Sequence, residues 1–101
     1  MKKYRVFING QNFLLALDGK APQRNAFYTT RYVEVNTSEK AESIAIKLIK
    51  DDKDLTKIVL NEQNNPPMLF AEEIKELESF EGIDVPGAGY TFYVEDEDNQ
   101  E

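Results

Sequence analysis

The sequence predicts an α+β domain, and three observations predict it. Residues 27–50, FYTTRYVEVNTSEKAESIAIKLIK, pass from a two-residue alternation through helix-capping chemistry into an apolar period of 3.6 residues. Tyr4, Val6 and Ile8 near one end, and Tyr90, Phe92 and Val94 near the other, alternate in the same strand-like way. Asn9-Gly10, Asp18-Gly19, Pro66-Pro67 and Pro86-Gly87 punctuate these runs with turn residues. A chain of 101 residues is the size of one domain, and we expect it over 1–95. The hydrophobic fraction of 41% is enough for one compact core.

Residues 4–15, YRVFINGQNFLL, put Tyr4, Val6 and Ile8 on one face and Arg5, Phe7 and Asn9 on the other. Apolar character resumes at Phe13 after Asn9-Gly10. A long strand with a bulge is therefore preferred to a tight hairpin, because the next turn chemistry lies in LDGKAPQRN (17–25). The second strand is expected at 26–35. Val33 and Val35 share a face, and the period carried backward puts Arg31, Thr29 and Phe27 in phase with them. Strict alternation points Arg31 at the core, whereas a bulge near Thr29-Thr30 would turn it out.

The main helix is expected at 37–50, with Asn36 as N-cap and Glu39 three residues on. Ala41, Ile44, Ala45, Leu48 and Ile49 form one apolar stripe, and Ile46 lies beside it. A third strand is expected at 55–62, with Ile58 and Leu60 on one face. Residues 68–80 carry two readings. Phe70, Ile74 and Leu77 have helical spacing, but a strand at Met68–Ala71 followed by one or two helical turns is preferred. After the loop at Pro86–Gly89 comes a final strand, and the tail 96–101, DEDNQE, is expected to be disordered. A strand-helix-strand unit over 26–62 has the length of a right-handed crossover between parallel strands. The expected architecture is a two-layer sandwich, ferredoxin-like in general character: one mixed sheet of about four strands, with helices on one face.

Composition excludes much chemistry. The chain has no cysteine and no histidine. Disulfides, thiol nucleophiles, Cys/His zinc sites and imidazole bases are therefore ruled out. Any catalysis would rest on Asp, Glu, Lys, Tyr, Ser or Thr, and we expect no enzyme, no cofactor and no metal site. No apolar run approaches the roughly 20 residues of a membrane span, and MKKYRVFINGQN is not a signal peptide, so a cytoplasmic protein off the membrane is expected. A net charge of −7 argues against nucleic acid. The charge is uneven: residues 1–33 hold six basic residues and one acidic one. The acidic surplus lies beyond them, a two-signed surface suited to orienting a protein partner.

Four groupings could carry a site. Arg5, Thr29, Thr30 and Arg31 place two guanidinium groups and two hydroxyls on neighbouring strands, the donor set of an anion or acidic-peptide site. Pro86-Gly87-Ala88-Gly89-Tyr90 could admit a close backbone approach, but it lacks the lysine and the following helix of a phosphate loop. Glu72, Glu73, Glu76, Glu78, Glu81 and Asp84 read as a solvated acidic face without calcium-loop spacing. Tyr4, Phe7, Tyr28, Tyr32, Tyr90, Phe92 and Tyr93 read as sheet packing, with a protein interface as their functional alternative.

FYTTRYVE with its capped helix A-x-x-I-A-x-x-L-I, and then GAGYTFYVED, resemble small bacterial single-domain α+β proteins of about this length that have no assigned activity. The resemblance implies the fold and transfers no catalytic residue. The functional expectation is a small acidic interaction domain, one concrete version being an immunity or antidote protein that blocks a basic toxin. It would bind its partner, or a second copy, through a sheet edge or face. The alternative is a small-anion-binding domain that uses Arg31 and its neighbours.

Overall fold

The computed structural model describes residues 1–16, 19 and 21–95. The expected disordered tail at 96–101 lies outside them. Among the described residues, four strands form one antiparallel sheet: β1 (Lys2–Leu15), β2 (Gln23–Val35), β3 (Met68–Leu77) and β4 (Thr91–Val94), in the order β3-β1-β2-β4. Two helices, α1 (Ser38–Lys50) and the single turn α2 (Lys53–Thr56), lie between β2 and β3 in the chain. α1 packs against β1, β2 and β3 on one face of the sheet. This is an α+β arrangement compatible with a two-layer sandwich; the order β3-β1-β2-β4 does not bear out the ferredoxin-like character expected.

β1 is the long bulged strand its sequence implies. It pairs with β2 from Lys2↔Val35 to Gly10↔Phe27, shifts register, and resumes at Phe13↔Asn25. The extra residue is accommodated by Asn12, which has a left-handed φ of 62°. Asn tolerates that conformation better than most residues. Gly10 has a different reason to be glycine. A Cβ there would sit 2.4 Å from Cζ of Phe27, so the bare backbone lets the largest core ring lie against β1.

β2 runs through Thr29-Thr30 without a register shift. Strict alternation therefore holds, and Phe27, Thr29, Arg31 and Val33 all turn toward the helix layer and are buried. Val6, Ile8, Phe13 and Leu15 meet them from β1, and Ala41, Ala45 and Ile49 from α1. Two alanines at that contact allow the helix to approach the sheet closely. Ile44, expected in the same stripe, sits at its margin and is 40% exposed.

Three expectations are corrected. Thr37, not Asn36, caps α1: its hydroxyl accepts from the Lys40 amide at 3.2 Å. Residues 55–62 are not a strand. Leu55 is buried within α2, whose N-cap is Asp52, and only Val59 makes an isolated bridge, to Leu15. Ile58 is half-buried and Leu60 exposed, so their shared parity does not mark a buried face. With no strand there, no parallel crossover forms, and the sheet is antiparallel throughout rather than mixed.

The third correction concerns 68–80. No helix forms in it; β3 is strand across all ten residues. Phe7 pairs with Glu73 and Ile8 with Ala71, so Glu72 is an inserted bulge residue. Leu69 and Ala71 keep a two-residue period, and Ile74 then comes one position late. The bulge thus puts Phe70 and Ile74 on opposite faces of the sheet, although their spacing of four resembles one face of a helix.

Candidate functional site

Alternation in β2 divides the predicted anion group between the two faces of the sheet. Thr29 and Arg31 lie on the helix-covered face. Arg5 and Thr30 lie on the opposite face, because Arg5 pairs with Tyr32 and Phe7 with Thr30.

The covered pair belongs to an internal polar cluster. Arg31 is only 4% exposed. Its Nη1 donates to the Thr29 hydroxyl, to the Thr30 carbonyl at 2.9 Å and to the Gly89 carbonyl at 3.5 Å. The guanidinium lies 5.1 Å from the centroid of the Tyr90 ring, a cation–π contact. The Tyr90 hydroxyl donates to Oδ2 of Asp52 at 2.6 Å, and Oδ1 of Asp52 accepts from the Asp54 amide in capping α2. The cluster therefore ties β2, the loop before β4 and the start of α2 together. The Tyr90 hydrogen bond holds the Asp52 carboxyl below its ordinary range, with the Arg31 charge acting in the same sense. Burial, then Asp52, push the Tyr90 phenol well above its ordinary range. An external anion at Arg31 would have to displace these internal acceptors and approach Asp52.

The uncovered face is different. Phe7, Tyr28 and Tyr93 form one stacked row across β1, β2 and β4. Phe7 and Tyr28 have centroids 5.3 Å apart and planes 4° from parallel; Tyr28 and Tyr93 are 5.6 Å apart. Beside the row stand Phe70, 42% exposed, and Tyr32, which meets Phe80 edge-on at 6.0 Å. Tyr93, by hydrogen bond and charge, raises the pKa of the Tyr28 phenol, and Glu72 adds to the same effect. The rings turn their faces to one another, and the Tyr93 hydroxyl accepts from Nδ2 of Asn9 at 3.4 Å.

Beneath the row the face is built with care. Asn9 is buried, donates from Nδ2 to the Phe27 carbonyl at 3.0 Å, and accepts from Nε2 of Gln11 at 2.6 Å. Arg5 is paired with Glu73 at 3.0 Å and Lys3 with Glu34 at 3.5 Å, so these cations are neutralised locally.

A groove of about 390 Å3 runs beside the row, between β2 and the loop before β4. Phe7, Tyr28, Thr30 and Tyr32 form one wall and the Gly87–Gly89 backbone the other. The loop is held by a hydrogen bond from the Tyr32 amide to the Pro86 carbonyl at 2.9 Å. Gly87 has φ of 95°, and a Cβ on it would meet the Thr30 carbonyl at 3.0 Å, so glycine is required there. The loop singled out in the sequence thus shapes the groove. No charged side chain lines it. An apolar crevice of about 250 Å3 between α1, α2 and β3 is lined by Phe13, Ile49, Leu55 and Leu69, with Lys50 and Thr56 among its few polar neighbours.

Among the described residues no group of three or more carboxylates could hold a metal ion. No helix among them is long and apolar enough to cross a membrane. Phe70 was missed from the aromatic set. Its alternation with Met68, apart from Leu69 and Ala71, was the available signal. No family model, no curated protein and no solved structure matches this chain.

Proposed function

We propose that this chain is a small, non-enzymatic interaction domain that takes a basic protein partner on the uncovered face of its sheet. The observation that carries the reading is the Phe7–Tyr28–Tyr93 row, standing where an antiparallel sheet ordinarily shows polar residues to water. Tyrosine supplies large contact area at small entropic cost and is enriched among the residues that dominate interface energy. The net charge of −7 selects for a basic partner and accelerates its approach. An antidote that blocks a basic toxin is one concrete form of this role.

The test is capture from the native lysate, with the wild type and a Tyr28→Ser/Tyr93→Ser double variant compared at low and high salt. The expected result is a stoichiometric basic protein held by the wild type, released by moderate salt, and absent from the double variant. Equal capture by both proteins, or capture indifferent to salt, would overturn the reading.

A further inference from the structure

β3 is an edge strand, and its outer side meets no other strand among the described residues. Ten residues of unpaired edge are an invitation to strand addition unless something discourages it. Two features here discourage a second copy. Glu72 forms a bulge, and Glu72, Glu73 and Glu76 crowd the strand, with Glu78 just beyond it. Only Glu73 has a cationic partner among the described residues, namely Arg5. Two such edges brought together would oppose like charges. The same charges favour a basic strand.

The backbone shows which groups are on offer. The Tyr32 amide points away from β1, toward Pro86. Because Tyr32 pairs with Arg5, the Arg5 amide points away from β2 and toward Lys75 of β3. Alternation then leaves the amides of Ile74 and Glu76 facing outward, and across the bulge those of Leu69 and Ala71. On the uncovered face of the same strand stand Met68 and Phe70, each more than two-fifths exposed, and Glu72, close enough to raise the pKa of the Tyr28 phenol. A strand added here would extend the aromatic face rather than stand apart from it.

We infer that β3 accepts an extended, lysine- or arginine-bearing segment of the partner as a fifth strand. Its basic side chains would lie beside Glu72 and Glu73, and its backbone would bond the outward amides of Leu69, Ala71, Ile74 and Glu76. The inference rests on the interaction reading above and names the segment that the partner supplies.

The probe is a nine-residue peptide alternating Lys and Thr, with an alternating Glu and Thr peptide as control, followed by amide hydrogen exchange of the full chain. The Lys peptide should slow exchange at Leu69, Ala71, Ile74 and Glu76, and lose about tenfold in affinity between low and high salt; the Glu peptide should do neither. Glu76→Pro, which removes one outward amide from an edge position that tolerates proline, should weaken the Lys peptide more than Glu76→Gln does. No binding of the Lys peptide at low salt would overturn the inference. So would equal binding by the two Glu76 variants, or binding that alters Tyr28 and Tyr93 but no β3 amide. That last result would leave the aromatic-face reading standing. Loss of partner capture from the lysate in the Tyr28→Ser/Tyr93→Ser variant tests that reading separately.

Discussion

The two faces of the sheet are made by alternate residues of the same strand and do opposite things. In β2, Phe27, Thr29, Arg31 and Val33 face the helix layer, and Tyr28, Thr30 and Tyr32 face away. Thr29 and Arg31 spend their hydrogen-bonding groups on Gly89 and Thr30, within the molecule. One residue over, Tyr28 and Thr30 line an open groove. A polar motif read as one group is therefore two, and the division falls at every second residue. Polarity alone does not mark a binding site: Arg31 is buried and its Nη1 is held by three acceptors within the molecule.

The largest expected effect breaks the covered face. Arg31→Ala removes the hydrogen bonds to Thr29, Thr30 and Gly89 and the contact with Tyr90, and strands Asp52 without its nearby cation. A loss of about 3 kcal/mol is expected in urea unfolding. A loss under about 1 kcal/mol would mean that the cluster is incidental to stability. Gly10→Ala presses a methyl against the ring of Phe27 and within 2.9 Å of Cε1 of Phe13. It should cost about 2 kcal/mol, checked by the same titration. An unchanged midpoint would show that the rings have room to move.

Tyr90→Phe sharpens the comparison at smaller amplitude. Asp52 has a folded pKa below its ordinary 3.8. Its stabilisation is thus fully present above that value and is lost as pH falls through the depressed folded pKa. Without the phenol, Asp52 loses its main stabilising partner. The variant should be less stable than the wild type by about 1 kcal/mol at neutral pH, and the gap should close in strong acid. A gap constant down to strong acid would remove Asp52 from the account.

Much of this was legible before the structure. Period-two phasing with Val33 and Val35 offered an inward Arg31, with a bulge near Thr29-Thr30 as the open alternative that the regular β2 register removes, and Asn9-Gly10 marked the bulge in β1. The capped helix was evident from its alanines and isoleucines, with its N-cap displaced by one residue. What escaped were features with no local signature. The bulge at Glu72 shifted the phase of β3, so neither a single two-residue period nor the helix-like spacing of Phe70, Ile74 and Leu77 described it. Leu55 was claimed by the core through a single helical turn, which a two-residue period could not reveal. The Tyr90–Asp52 bond joins residues far apart in the chain, and no sequence pattern announces it. The aromatic row was half legible. Its members were named, but Tyr4, Tyr90 and Phe92 had not been separated from Phe7, Tyr28 and Tyr93, because only the pairing of β1, β2 and β4 sorts them by face.

The central claim is that the aromatic row is surplus to the fold. Urea unfolding of the Tyr28→Ser/Tyr93→Ser variant beside the wild type tests it most directly. The two rings are 39% and 41% exposed. Losing their stacking should cost less than about 2 kcal/mol, with an unchanged slope and an intact far-ultraviolet spectrum. A loss of 4 kcal/mol or more, on the order of emptying a buried ring site, would make the row part of the core and contradict the account.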